Sequence, residues 1–123
     1  MNIYLIHAME GIYMGLHGME DACIIEAISR DELKSLGTQM SIDIMESYDD
    51  IQEMLLDNAR STAEFREIDE EEDYDEFENI LNEEYEENVE YQIYQLSKEY
   101  TAEQYKEMLD QYGAEEVIKY ALE

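Results

Sequence analysis

The chain has 123 residues, which is the size of one ordinary domain with a single hydrophobic core. Its 34 acidic and 7 basic residues give a formal net charge of −27, which repels nucleic acid and anionic membranes and favours cationic partners. The single cysteine, Cys23, excludes an internal disulfide and suits a reducing cytoplasm. No N-terminal stretch combines a basic flank with an apolar run, and no apolar segment approaches the ~20 residues of a membrane span, so we expect neither a secretion signal nor a membrane helix. We therefore predict a soluble cytoplasmic protein whose single domain spans residues 1–123.

The first part of the chain predicts a β-hairpin followed by a long helix. Asn2–Met9 and Asp21–Ile28 are rich in apolar and β-branched residues, and the glycines of Gly11–Gly18 turn the chain back between them. Two strands with so short a connection most simply pair antiparallel. A capping box at Ser29–Glu32 then begins a helix that we expect to run from Arg30 to about Arg60. Its apolar stripe consists of Leu33, Leu36, Met40, Ile44, Tyr48, Ile51 and Leu55.

The second part predicts further helices around a third strand. Ser61–Glu64 has the composition of a helix cap, so we expect a bend there, and Asp73–Glu76 indicates another helix start. Asn88–Ser97 alternates with a period of two and predicts a strand. Thr101–Gln104 caps a helix, and Ala114–Leu122 forms a short last one. The stripes of the two longer helices are Phe77, Ile80, Leu81 and Tyr85, and then Tyr105, Met108, Leu109 and Tyr112.

The predicted order of elements is β-β-α-α-β-α-α. We expect an α+β single domain in which a small three-stranded sheet, with its N-terminal hairpin, packs one face against the long helix. The third strand can pair with either strand of the hairpin, and the sequence does not decide between them.

The negative charge is concentrated in the middle of the chain. Residues 48–91 carry a net charge of −17, against −6 for residues 1–47 and −4 for residues 92–123. Between residues 67 and 90 there are 14 carboxylates and no lysine or arginine. As a single helix this stretch would be about 36 Å long, with one negative charge per about 2.6 Å of its length. Duplex DNA carries one negative charge per about 1.7 Å, which is of the same order. A halophilic protein would spread its acids evenly, so this imbalance favours a dedicated acidic face.

The acidic segment, which we define as residues 64–90, also contains apolar and aromatic residues that oppose disorder. Like charges one helical turn apart destabilise a helix, so a long run of them suggests a use for the charge, namely binding a basic protein surface. A solvated face that serves only solubility, or a disordered segment, are the alternatives. The candidate contact residues are Asp69, Glu70, Glu71, Glu72, Asp73, Asp75, Glu76, Glu78, Glu83, Glu84, Glu86, Glu87 and Glu90, together with Tyr74 and Tyr85.

No metal or catalytic signature is complete. The alternating acids of Asp69–Asp75 resemble the start of an EF-hand, but Tyr74 and Ile80 stand where that loop requires glycine and glutamate. The Gly11–Gly18 loop has no phosphate-binding fingerprint. We expect no metal, no cofactor and no enzymatic activity. Five potential ligands gather around the first hairpin without the spacing of a zinc site: His7, Glu10, His17, Asp21 and Cys23.

With a segment such as IDEEEDYDEFENILNEEYEEN, at residues 68–88, the chain resembles small acidic phage proteins that disable host defences by imitating nucleic acid. Anti-CRISPR proteins and anti-restriction DNA mimics belong to this class. The resemblance rests on size, net charge and residues 48–91, and the opening MNIYLIHAMEGIYMGLHGM also looks like small phage proteins. It implies an inhibitor that occupies the basic DNA- or guide-binding groove of a nuclease such as Cas9, without binding nucleic acid itself.

A regulatory or assembly protein is the alternative function. It would bind its partner through the loop at Gly11–Gly18, which carries Tyr13 and Met14, and its charge would serve only solubility.

Overall fold

A computed structural model describes residues 1–9 and 19–122 of the chain. Strands β1 (Asn2–Met9) and β2 (Glu20–Ala27) pair antiparallel, as predicted. Strand β3 (Glu90–Leu96) pairs antiparallel with the other edge of β1, so the sheet order is β2-β1-β3. The α+β fold class with a three-stranded sheet is confirmed, and the third strand takes the place beside β1.

The helices of the described residues follow a 3-10 turn at Arg30–Leu33. They are α1 (Lys34–Glu46), α2 (Asp49–Phe65), α3 (Tyr74–Glu87), α4 (Ala102–Tyr112) and α5 (Ala114–Ile118). Within residues 1–9 and 19–122, none of them combines the length and the apolar character that crossing a membrane requires. The observed order therefore contains one helix more than the predicted β-β-α-α-β-α-α.

The single helix predicted from Arg30 to Arg60 is wrong, because the chain breaks between α1 and α2. The hydroxyl of Ser47 donates to the carbonyl of Ile44 at 2.6 Å, and Tyr48 is extended, with φ −119° and ψ 119°. Asp49 and Asp50 then occupy the first turn of α2, where carboxylates are favoured by the positive end of the helix dipole. The apolar stripe keeps its spacing across the break, so periodicity alone does not reveal it.

Two predicted helix caps are also wrong. The bend expected at Ser61–Glu64 does not form, since α2 continues to Phe65. Ser29 makes no side-chain cap hydrogen bond, and the carboxylate of Glu32 instead accepts the N–H of Ile28 at 3.3 Å. The 3-10 turn that begins there leaves no regular first α-helical turn for a capping box to close.

Helices cover both faces of the sheet, not the one face predicted. The central strand β1 is apolar on both sides, so each side requires a covering layer. The core under the 3-10 turn and α1 consists of Tyr4, Ile6, Ala27 and Leu33, with Met40 and Ile93 against it. The core under α4 and α5 consists of Ile3, Leu5, Ile24, Leu96, Ala102, Tyr105, Ala114 and Val117.

Helix α1 approaches the sheet through two small residues. A Cβ atom at Gly37 would lie 2.5 Å from Cδ2 of Tyr91 in β3, so any larger residue would require that ring to move. The hydroxyl of Ser41, which is fully buried, donates to the carbonyl of Met9 at 2.7 Å and accepts the N–H of Glu90 at 3.0 Å. Ser41 thus links the end of β1 to the start of β3.

Two residues predicted for the core face solvent instead. Leu36 is 38% exposed and Tyr112 is 68% exposed. In α1 the buried face passes through Gly37, Ser41 and Ile44, which turns Leu36 away from the sheet.

The end of the described chain adds to the sheet edge. The N–H of Leu122 donates to the carbonyl of Gln95 at 2.7 Å, beside β3. The helix predicted over Ala114–Leu122 therefore ends at Ile118. The capping box predicted at Thr101–Gln104 is confirmed, since each side chain accepts the other residue's N–H, at 2.9 and 3.2 Å.

Candidate functional site

The acidic segment contains the end of α2, a turn at residues 66–73, α3 and the first residue of β3. Its charges therefore do not form one 36 Å rod. Helix α3 has 14 residues, or about 21 Å, and it carries seven carboxylates. That is one charge per about 3 Å, similar to the about 3.4 Å between phosphates along one DNA strand.

Helix α2 ends in a Schellman motif that turns the chain back towards α3. Glu67 has a φ of +59°, and its N–H donates to the carbonyl of Glu64 at 3.2 Å. The N–H of Ile68 donates to the carbonyl of Ala63 at 2.8 Å, and both side chains pack in the same core as Phe77. The motif gives α3 its position antiparallel to α2.

Aspartate side chains shape the turn that follows. The carboxylate of Asp69 accepts the N–H of Glu72 at 2.9 Å and that of Glu71 at 2.8 Å, and these bonds lower the pKa of Asp69. The carboxylate of Asp73 accepts the N–H of Asp69 at 3.1 Å. Two of the predicted contact residues are exposed and also hold the backbone of the turn.

Two further carboxylates pair with arginines. Nε and Nη2 of Arg60 lie 3.1 and 3.3 Å from the two carboxylate oxygens of Glu70. Nη1 of Arg66 lies 4.0 Å from Glu83. All four side chains are roughly half exposed, so each pair stabilises the fold only slightly. The arginines nevertheless partly neutralise Glu70 and Glu83, so these two carboxylates attract a basic partner less strongly than unpaired ones.

Glu84 is half-buried between α2 and α3. Its pKa is raised first by burial and then by the charge of Glu87, with a smaller effect of Glu83, while a hydrogen bond with Asn58 of α2 opposes the shift. Its place in the helix interface makes it a less accessible contact residue than its neighbours.

The remaining predicted carboxylates are exposed. On the outer side of α3, opposite its buried stripe, lie Asp75 and Glu86. Glu76 and Glu87 lie on one flank of the helix, and Glu78 lies on the other. The charge thus covers three sides of α3. No lysine or arginine within residues 1–9 and 19–122 pairs with any of these eight: Glu71, Glu72, Asp75, Glu76, Glu78, Glu86, Glu87 and Glu90.

The two candidate tyrosines line a groove beside α3. Its volume is about 430 Å³, and Glu46 at the end of α1 and Gln52 in α2 form its opposite wall. Tyr74 is 60% exposed. Tyr85 is half-buried, and its pKa is raised by burial and then by the charge of Glu46. The α1–α2 break places Glu46 and Gln52 here. Sequence reasoning missed both, since they lie outside the acidic segment.

The candidate ligands of the first hairpin make ordinary structural contacts. Nε2 of His7 lies 2.9 Å from a carboxylate oxygen of Glu20 on the neighbouring strand. Sγ of Cys23 lies 3.8 Å from Sδ of Met40, and the pKa of Cys23 is raised by burial and then by the charge of Asp21. No cluster of three or more histidine, cysteine or acidic side chains in the described parts of the chain has the arrangement of a metal site.

Several sequence predictions lie outside the described residues. These are the candidate ligands Glu10 and His17, and the loop at Gly11–Gly18 with its Tyr13 and Met14. They stay predictions.

Comparison with protein families, with curated proteins and with solved structures found no match for this chain. Its function must therefore be inferred from its own surface.

Proposed function

We propose that the protein is an inhibitor of a nucleic-acid-binding host defence effector, acting as a nucleic-acid mimic in the effector's basic groove. A Cas nuclease such as Cas9 is the effector we expect, which would make the protein an anti-CRISPR that acts in the host cytoplasm. The observation that carries the proposal is the set of eight exposed carboxylates, on α3 and its two ends, that have no basic partner in the described chain.

The hydrogen-bonding chemistry and the rigidity of these charges support the proposal. Arginines and lysines of nuclease grooves hold phosphates of the nucleic acid, and a carboxylate can accept the same forked hydrogen bonds from a guanidinium. Helix α3 is held against α2 by the buried Phe77 and Ile80, so its charges are displayed on a packed scaffold.

Exposed acids without a basic partner also occur elsewhere in the described chain, for example at Glu99, Glu107 and Asp110, so what distinguishes α3 is the density of its acids and its lack of any base. Outside the acidic segment, three lysines each form an ion pair with an acid three residues away: Lys34 with Asp31, Lys106 with Glu103, and Lys119 with Glu116. Within α3 there is no lysine or arginine at all. Pairing within one helix reduces the repulsion between its like charges, and α3 has no pair of this kind.

A pull-down identifies the partner. The immobilised protein is incubated with a bacterial lysate at low salt and then eluted with duplex DNA. We expect a nuclease to be retained and released by the DNA, and also released by high salt because the interface depends on charge. A retained protein that neither DNA nor salt displaces would contradict mimicry.

A charge-matched pair of variants tests the surface itself. The first combines Glu71→Gln, Glu72→Gln, Asp75→Asn and Glu76→Gln, and leaves the turn-forming aspartates and the Arg60 pair intact. The control removes the same number of exposed charges elsewhere, at Glu99, Glu107, Asp110 and Glu115.

Each exposed charge contact contributes about 0.2–1 kcal/mol, so we expect the first variant, which loses four of them, to bind the effector at least about fourfold more weakly. The control should bind within about twofold of the wild type. Equal losses in both variants would mean that net charge alone drives binding. No loss in either would mean that the acidic segment is only a solvated face.

A further inference from the structure

The groove beside α3 has the chemistry of an arginine site. We propose that this groove, between the α1–α2 break and α3, binds an arginine side chain of the basic partner. In this arrangement Tyr74 and Tyr85 contact the guanidinium plane, and Glu46 and Glu78 accept its N–H groups. The inference deepens the proposed function, because the arginine belongs to the basic partner proposed above.

The shape of the groove fits a long side chain with a polar head. Its volume of about 430 Å³ falls in the range of ordinary ligand sites. The half-buried Leu81 provides apolar surface for the methylene groups of an arginine, while Phe77, which is 4% exposed, lines the groove but contributes little surface. The amide of Gln52 donates to the carbonyl of Glu46, which fixes the wall opposite α3.

The charges at the rim are complementary to a cation. Glu46 and Glu78 are both exposed, they come from different helices, and neither forms an ion pair with a base in the described residues. The charge of Glu46 acts on the hydroxyl of Tyr85, so a carboxylate and an aromatic ring are neighbours in the groove.

The groove also lies next to the acidic turn. Tyr74 lines both the groove and a second, acidic depression of about 290 Å³ formed by Glu72–Glu76. An arginine seated against Tyr74 would therefore belong to a basic surface whose other cations face the exposed carboxylates. This is the arrangement expected of a phosphate-binding groove that carries several arginines and lysines.

Arginine fits this site better than lysine. A guanidinium is planar, so it can lie flat on a tyrosine ring and donate in a fork to a carboxylate at its edge. A lysine ammonium is a compact, strongly hydrated charge that gains less from an aromatic wall. The pairing of two tyrosines with two carboxylates around an apolar floor thus distinguishes this groove from the open acidic surface.

Two peptides of equal charge, nona-arginine and nona-lysine, provide the test. Binding to the full chain is followed by titration calorimetry, and tyrosine ring signals are followed by NMR. We expect nona-arginine to bind at least about threefold more tightly and to shift the rings of Tyr74 and Tyr85. Equal affinities for the two peptides, without ring shifts, would overturn the inference.

Variants locate the preference in the groove. Tyr74→Leu and Glu78→Gln, both at exposed positions, should each weaken nona-arginine binding by about threefold or more. Glu86→Gln is the matched control, because it removes one charge from the outer side of α3, away from the groove. A loss in Glu86→Gln equal to that in Glu78→Gln would place the peptide on the open acidic surface and refute the groove.

The outcome separates this inference from the proposed function. An arginine preference in a protein that fails to displace nucleic acid from a nuclease would support the groove and refute mimicry. Displacement of nucleic acid by a protein with no arginine preference would support mimicry and refute the groove.

Discussion

Glu87 in the last turn of α3 tests whether the acidic surface destabilises the fold. Its carboxylate lies one helical turn from those of Glu83 and Glu84, at the negative end of the helix dipole. Two like-charge pairs cost about 0.2–0.5 kcal/mol each, and an anion at a helix C-terminus costs about 0.3–1 kcal/mol. Glu87→Gln removes these terms, so we expect its free energy of unfolding at low salt to rise by about 0.7–2 kcal/mol.

Urea unfolding followed by circular dichroism measures this difference. The gain should fall by more than half at 1 M salt, because the screening length shortens from about 10 Å at 0.1 M to about 3 Å. Glu70→Gln is the matched control, since it removes one charge but also breaks the pair with Arg60, and we expect no gain from it. If Glu87→Gln is no more stable than the wild type at low salt, repulsion in α3 carries no cost, and the reasoning that the acids are retained for binding fails.

Two further predictions concern packing and pH. Gly37→Ala should lower the free energy of unfolding by about 1 kcal/mol, as measured by thermal unfolding. Moving the Tyr91 ring costs about 1–3 kcal/mol, while the higher helix propensity of alanine returns up to about 1 kcal/mol. A stabilised variant would contradict the close approach of α1 to the Tyr91 ring. Glu84→Gln should be more stable than the wild type at pH 7, because the raised pKa of Glu84 in the folded protein means that folding disfavours its charged form. That advantage should shrink as the pH falls through the pKa of Glu84 in the folded protein, and it should vanish at about pH 3, below the ordinary glutamate pKa. A gain in stability that persists at about pH 3 would exclude ionisation of Glu84 as its cause.

The strands could be read from the sequence because their signals are local. Asn2–Met9 is apolar on both of its faces and was predicted with the bounds that β1 has. The period-two alternation at Asn88–Ser97 predicted β3, with Tyr91 and Ile93 on one face and Tyr94 on the other. Each of these patterns is complete within a few residues, so no distant contact is needed to interpret it.

The helical layer was harder to predict because its determinants are tertiary. The break at Ser47 leaves the apolar spacing intact, and the covering of both sheet faces depends on where α4 and α5 return. The buried face of α1 includes Gly37 and Ser41, whose small size permits close approach, whereas the apolar spacing indicates Leu36 instead.

The sequence predicts the charge of the candidate site but not the structural role of each carboxylate in it. That most of its carboxylates face solvent follows from composition. That Asp69 holds the turn, or that Glu70 meets Arg60 from ten residues away, depends on how α2 ends. The groove at Glu46 depends on a helix break that periodicity cannot show.

The hydroxyl of Ser41 lies outside α3 but helps to fix the position of this acidic helix for a partner. The chain leaves α3 and enters β3 at Glu90, whose N–H this buried serine accepts, while the Schellman motif at Glu67 fixes the chain before α3 begins. The acidic helix is thus anchored at both ends before any partner arrives. Ordering a free backbone costs about 1–2 kcal/mol per residue, and an unstructured acidic tail with the same charges would bear that entropic loss on contact. Here the entropy is lost during folding, so less of the free energy of each charge contact is spent on ordering the chain when the partner binds.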